Sequence, residues 1–374
     1  MTWVFWIAAG LILYTYVGYA CWLRLRTLWR FRDVKRAPFT PSLSITMVVR
    51  NEEAILESKL QNLLSLDYPA DSSQIVVVSD GSTDGTEQIL RKYAQDPRLH
   101  VVLNQLSRGK ACGLNDAMEM TQGEIVVFTD ARQKIEAGAV RLLVENFADP
   151  EVGCASGELM LGDATEGEAS QGLGLYWRIE KRIRELESAT GSVVGATGAL
   201  YAARRELLTE VPAGTILDDV YLPMQVVRQG KRVIFDERAR AWDSPDLGAG
   251  REFSRKVRTL SGNYQLLQLA PWLLSSQNPI RFELVSHKLL RLAVPFALAA
   301  LLLSSIMLNG PFYRTVLVLQ GALYLLSALA LGQWVKGGLL ARLADVSGTF
   351  VLLNGAAIVA LFNFVAGRRA AWTR

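Results

Sequence analysis

From about residue 42 to residue 160, short runs rich in Val and Ile alternate with helical patterns: LSITMVV, QIVVVS, LHVVLN, EIVVFTD and VGCASGELML. These runs are apolar almost throughout rather than at every second position, which predicts strands buried on both faces, with the helical stretches as crossovers. The expectation is an α/β domain with a mostly parallel sheet covered by helices. Outside this region the pattern changes. Trp3 to Leu23 hold no charged side chain and, at about 1.5 Å per residue, reach roughly 31 Å, enough to cross a hydrocarbon core. Leu289 to Leu308 and Phe312 to Val335 flank the turn NGPF and predict a hairpin of spans, while Phe350 to Ala366 is a shorter apolar stretch.

Charge orients these segments. A cleaved signal peptide carries its basic residues before the apolar run, whereas here Arg24, Arg26, Arg30, Arg32, Lys35 and Arg36 follow it. The reading is an uncleaved anchor with the α/β domain in the cytoplasm, and so a multi-pass protein of the plasma (bacterial inner) membrane. Three later spans would put the basic tail GRRAAWTR outside, against the positive-inside rule; either the last segment lies in the interface or the rule fails. The expected units are an anchor over 1–24, a basic linker over 25–41, the α/β domain over 42–250, basic and interfacial helices over 251–288, and a membrane region over 289–374. The stretch YQLLQLAPWLLSSQNPIRF, interrupted by Pro271 and Pro279, is expected to lie along the membrane with Trp272 at the interface. YWRIEKRIRELES reads as a charged amphipathic helix with a solvated face.

Composition narrows the chemistry. Three cysteines without paired spacing argue against a disulfide framework or a zinc cluster, and two histidines, His100 and His287, give little support for a Ser–His–Asp or Cys–His pair. The net charge of +4 is modest and its basic residues sit beside the apolar segments, which suits lipid headgroups and not nucleic acid. Carboxylates and basic groups are left to carry the reaction.

In α/β sheets ligands lie beyond the carboxyl ends of the strands. Those ends read Arg50-Asn51-Glu52-Glu53, Asp80-Gly81-Ser82 and Asp130-Ala131-Arg132, each with a carboxylate. A single one is as readily a helix cap, a role that suits Asp84; three at one edge point to a nucleotide held through acids, with a metal or basic side chains on its diphosphate. Neither G-x-x-x-x-G-K-[ST] nor G-x-G-x-x-G is present after the first strand, which lowers the ATPase and dehydrogenase readings.

Five segments, VVRNEE, VVVSDGSTDGT, RGKACGLNDAM, EIVVFTDAR and LDDVYLPMQVVRQGKRV, occur in the order and at the spacing of the family 2 glycosyltransferases, and from about Leu43 to Leu274 the chain resembles that family of inverting, GT-A-fold enzymes, which includes membrane-bound polysaccharide synthases. The resemblance implies that Asn51, Glu52 and Asp80 form the pocket for base and ribose, and that Lys110 is a basic contact near the nucleotide. It implies further that Asp130, the first acid of the D-x-D motif, binds the diphosphate and a divalent metal, Mg²⁺ or Mn²⁺, and that Asp219 is the catalytic base. Asp218 is then a substrate-side neighbour, with helix capping as its rival role. Gly198, in SVVGATGALY, is read as an acceptor-side contact, with strand-turn packing as the alternative.

Two positions depart from the family. The second acid of D-x-D is Arg132, which cannot ligate a cation. Where processive synthases carry Q-x-x-R-W, this chain has Arg255 for the glutamine, Arg258 for the arginine and Thr259 for the tryptophan, so polymerisation is not inherited with the motif. On a helix Arg251, Arg255 and Arg258 form one stripe, read as aimed at the leaving diphosphate, with Arg258 as a catalytic residue and Arg255 as a substrate contact; lipid headgroups are the alternative target. The expected activity is transfer of a sugar, with inversion, from a nucleotide sugar, UDP-linked by resemblance, to a saccharide or lipid-linked acceptor in cell-surface or exopolysaccharide synthesis. Two alternatives are single-sugar transfer to polyprenyl phosphate and a catalytically silent nucleotide-binding scaffold. Expected partners are the donor, the acceptor, the bilayer and export or assembly subunits.

Overall fold

The computed structural model describes residues 1–163, 167–168, 171–243, 249–335 and 337–368. A long helix α1 (Thr2–Arg26) leads into an extended segment and then strand β1 (Leu43–Val49), helix α2 (Glu53–Leu64), β2 (Ser73–Asp80), α3 (Thr86–Tyr93), β3 (Leu99–Asn104), α4 (Lys110–Met120) and β4 (Ile125–Phe128). There follow β5 (Lys134–Ile135), α5 (Ala139–Val144), β6 (Val152–Asp163), β7 (Gly167–Glu168), α6 (Gln171–Thr190), β8 (Tyr201–Arg204), α7 (Asp218–Arg228) and β9 (Arg232–Asp243). The chain closes with α8 (Ala249–Leu269) and three long apolar helices, α9 (Arg281–Met307), α10 (Pro311–Leu331) and α11 (Gly338–Val365).

The sheet order is β3-β2-β1-β4-β8-β6-β9-β5, with β7 against β6. The first four strands run parallel, as the continuous apolar runs imply, and β1 is buried along its whole length. Beyond β4 the sheet becomes mixed: β8 lies antiparallel between β4 and β6, and β6 pairs in parallel with β9. VGCASGELML thus joins the sheet through β8 and not through the parallel half. Two apolar layers cover the sheet, one containing Leu56, Leu60, Leu63, Ile75 and Val127, the other Val48, Val78, Leu114, Leu222 and Val226.

Among the described residues, four helices, α1, α9, α10 and α11, are long and apolar enough to cross a membrane. The last extends well beyond the stretch from Phe350 to Ala366, because the helix continues N-terminally through Arg342 and Asp345. The basic segment after α1 is not a free linker: Val34 is buried, and Arg232 donates to the carbonyls of Arg32, Asp33, Ser188 and Gly191. Helix α6 departs from the expected solvated face. Its Ile183 and Leu186 pack on Tyr19 and Leu23 of α1, and its Glu180 and Glu187 are buried against His287 and Arg291 of α9. The stretch after α8 packs on the domain through Leu273 and Ile280, with the Trp272 ring 5.1 Å from the Arg228 guanidinium.

Candidate active site

The loops leaving β1, β2 and β4 and the start of α4 meet at one edge of the parallel half. Asp80, the last residue of β2, is fully buried; its Oδ1 accepts from the Arg108 N–H (2.8 Å) and its Oδ2 from the Gly109 N–H (2.9 Å) and the Ser107 hydroxyl (2.7 Å). This carboxylate thus holds the loop that presents Lys110. The approach requires glycine at 81: φ is +63°, and a Cβ there would lie 2.4 Å from the Ser107 nitrogen. Asn51 adopts φ 54°, which asparagine tolerates, and its Oδ1 accepts from the Thr83 N–H (2.8 Å). The Glu52 N–H donates to Thr86 Oγ1 (2.8 Å), and Asp84 accepts from the N–H groups of Thr86 and Glu53; the N-cap of α3 is Gly85, so Asp84 ties the two helix starts together and does not take the N-cap position expected of it.

Lys110 opens α4 behind Gly109 and reaches two acids, Asp130 Oδ1 at 2.9 Å and Asp218 Oδ2 at 3.1 Å. Burial opposes its charge, but Asp130 and Asp218 outweigh that and hold the ammonium above its ordinary value. Asp218 and Asp219 both lie in the first turn of α7, whose N-cap is Leu217, so neither caps the helix. Asp219 is gripped twice: its main-chain oxygen accepts from the Ala196 N–H (2.7 Å) and its Oδ2 from the Gly198 N–H (3.2 Å). Burial, then the neighbouring Asp218, push its carboxyl up to about 6, with Lys110 opposing and Asp130 adding to the shift. A Cβ on Gly198 would lie 3.1 Å from Asp130 Oδ2 and 3.5 Å from Asp219 Oδ2, so the two acids face each other across this glycine.

The departures have partners of their own. Arg132 turns away from Asp130 to Asp243 Oδ2 at the end of β9, an oxygen that also receives Gln133 (3.2 Å) and lies 3.7 Å from Arg255. One buried carboxylate therefore ties the D-x-D turn to the basic helix α8. Arg258 has no ion pair among the described residues, and its buried Nε finds no hydrogen-bond partner there. The side chain of Arg251 lies outside the described residues.

One edge thus gathers Asn51, Glu52, Asp80, Lys110, Asp130, Gly198, Asp218 and Asp219, while Arg255 joins through Asp243 and Arg258 makes no hydrogen bond or ion pair with them. Sequence reasoning missed Asp243, which nothing marks in β9, and the buried Lys59. A visible signal existed for the latter, since Lys59 falls between Leu56, Leu60 and Leu63 on the apolar stripe of α2.

Lys110 pairs with two of the three carboxylates Asp130, Asp218 and Asp219, and the Oδ2 of the half-exposed Asp130 takes no hydrogen bond among the described residues. That arrangement fits a divalent cation using one carboxylate plus donor phosphates and water. No group of three or more His, Cys, Asp or Glu among the described residues could hold a metal by itself.

Residues 44–211 match the family model described as glycosyl transferase family 2. This segment is a family 2 glycosyltransferase domain. The glycosyltransferase domain and its flanking helices resemble, at 25% identity and a TM-score of 0.75, the mannosyltransferase PcManGT from Pyrobaculum calidifontis solved with GDP-Man and Mn²⁺; the likeness covers 98% of this chain and 99% of that one. The expected GT-A fold is the one observed, but its sheet, expected to be mostly parallel, is mixed. Among curated proteins, the beta-monoglucosyldiacylglycerol synthase of Synechocystis sp. is 30% identical over 200 residues, 52% of this chain and 42% of that protein. The poly-beta-1,6-N-acetyl-D-glucosamine synthase of Staphylococcus epidermidis is 23% identical over 234 residues, 62% of this chain and 56% of that one. The chain spans about half the length of these curated relatives.

Proposed function

We propose that the chain transfers a sugar, with inversion, from a nucleoside-diphosphate sugar to a saccharide or lipid-linked acceptor at a membrane surface. The observation that carries this reading is Asp219, a carboxylate with its pKa raised to about 6, held by Gly198 N–H and facing Asp130 across that glycine. An acceptor hydroxyl attacks well only if its proton is taken as the bond forms, and a base with a pKa just below the working pH is ionised yet still basic enough to accept it. Asp219 is that base. Asp218 keeps Lys110 in place, and Lys110 orients Asp130 toward the diphosphate.

The leaving nucleoside diphosphate gains charge as the sugar departs, and fixed cations stabilise that charge without reorganising. A divalent metal held by Asp130 and the phosphates would supply part of this stabilisation when bound. Arg258, with no ion pair of its own among the described residues, and Arg255 on the same helix supply the rest. Asn51 and Glu52, at the mouth of β1, lie where the base and ribose would sit, and Asp80 shapes that pocket from beneath.

UDP is the nucleotide that the family resemblance favours; the full-length similarity to a protein solved with GDP-Man supports GDP as the second reading. The curated relatives are named for a glycolipid and for a polymer, so both acceptor classes belong in the assay. Membranes containing the chain are incubated with radiolabelled UDP- and GDP-sugars, and lipid and polymer fractions are counted. Label in either fraction, lost in Asp219→Asn, is the expected result; neither transfer nor donor hydrolysis with any donor overturns the proposal and favours a scaffold.

A further inference from the structure

A lysine occupies a place in α2 that its neighbours fill with hydrocarbon. Leu56, Leu60 and Leu63 point into the core, and Lys59, on the same face, is only 3% exposed. A buried ammonium is costly unless hydrogen-bonded or paired, and the neighbouring core positions of α2 are filled without one. Packing alone therefore gives no reason for the charge.

Its bonds give one. Lys59 Nζ donates to Thr129 Oγ1 at 2.9 Å and to the main-chain oxygen of Gln133 at 2.6 Å, so one ammonium fastens both ends of the turn Asp130-Ala131-Arg132. The Thr129 hydroxyl then donates to the Ala199 carbonyl at 2.8 Å, and Ala199 adjoins the Gly198 whose N–H holds Asp219. Burial draws the Lys59 ammonium down to about 7, with the charge of Asp130 opposing that fall.

We propose that Lys59 is a positioning residue of the donor site: from beneath the sheet edge it fixes the acidic turn, so that Asp130 meets the diphosphate, and through Thr129 it sets the distance from that turn to the Gly198 loop. The inference rests on Asp130 being the donor-site acid, as proposed above.

The full chain, in lipid nanodiscs, is prepared as wild type, Lys59→Met and Thr129→Val. Binding of UDP and of GDP with Mn²⁺ is measured by calorimetry, donor KM and kcat by transfer, and stability by thermal unfolding. Lys59→Met, which takes the charged donor from the Gln133 carbonyl, is expected to unfold somewhat below the wild-type temperature and to raise the nucleotide Kd and donor KM about tenfold or more while kcat at saturating donor changes less. Thr129→Val is expected to show the same split at about threefold, and decides the matter alone if Lys59→Met does not fold. Kd and KM within twofold of wild type overturn the proposal, as does a loss of kcat with both unchanged. A wild type that binds nucleotide but transfers nothing refutes the proposed function and leaves the binding comparison to judge Lys59; a wild type that binds neither nucleotide refutes both.

Discussion

Asp219 must be ionised to act as a base, yet burial and Asp218 make ionisation costly. With its pKa at about 6, kcat should rise tenfold per pH unit below 6 and level off above about 7; a flat profile from pH 5 to 8 would remove it as the base. The same shift has a stability sign. Between 3.8 and about 6 the folded state keeps a proton that the unfolded chain has released, so this group's contribution to stability declines as pH rises through that window. Asp219→Asn should therefore melt close to wild type at pH 4 and above it at pH 8, while transfer falls by at least about 10³-fold and nucleotide Kd stays nearly unchanged. Gly198 tests the facing geometry independently of charge. Because even a Cβ would press on Asp130 at 3.1 Å, Gly198→Val should cut kcat/KM on the order of 10²-fold, the effect of displacing reacting groups by about 1 Å, with Gly198→Ala intermediate.

At the scale of elements, the sequence was most readable where one physical rule acts alone. Continuous apolar runs announced the parallel strands, and carboxylates at their ends announced the edge where Asp80, Asp130 and Asp218 assemble. It was least readable where a partner far along the chain decides the outcome. The charges on α6 looked like a solvated face because nothing nearby in sequence shows that Glu187 accepts from Tyr19 (2.7 Å), 168 residues earlier, and meets His287 (2.9 Å), 100 residues later. Arg132 looked like a cation left beside a metal site because Asp243, which receives it, lies 111 residues away. The basic stretch after α1 looked like a linker because its restraints lie more than 100 residues along the chain, among them Asn146, Asp149, Asp236 and a buried arginine of β9. Arg232 makes four hydrogen bonds to carbonyls, two of them on that stretch. Arg232→Met should cost on the order of 3 kcal/mol, since charged donors are lost and buried acceptors left unpaired. Limited trypsin digestion should then cut between Arg30 and Arg36 in the variant while sparing that stretch in the wild type; equal digestion would show that Val34 and Arg36 hold the segment without it.

For the whole molecule, the junction between domain and helices is ionic and buried. Glu180 accepts from Arg291 (2.7 Å) and meets His287 (3.1 Å), while Glu187 binds Tyr19, so α6 is locked to both α1 and α9. A domain fixed this way cannot tumble freely beneath the bilayer, and the orientation of the helices sets the side on which its donor site opens. If the basic residues after α1 lie on the cytoplasmic side and all four helices cross, the turn at Gly310 is expected outside, the turn at Gly332 inside and the end of α11 outside. The 28 residues of α11 would reach about 42 Å, ample for a crossing, and the helix packs on α8 through Ala356 and Ala360 against Val257 and through Phe364 stacked on Tyr264. Alkaline phosphatase fused after Gly310 or after Gly367 should therefore be active and green fluorescent protein at the same points dark, with the reverse after Gly332. A fluorescent fusion after Gly367 would show that α11 stays on the domain's side, lying along the interface, and that the positive-inside rule holds for Arg368 after all.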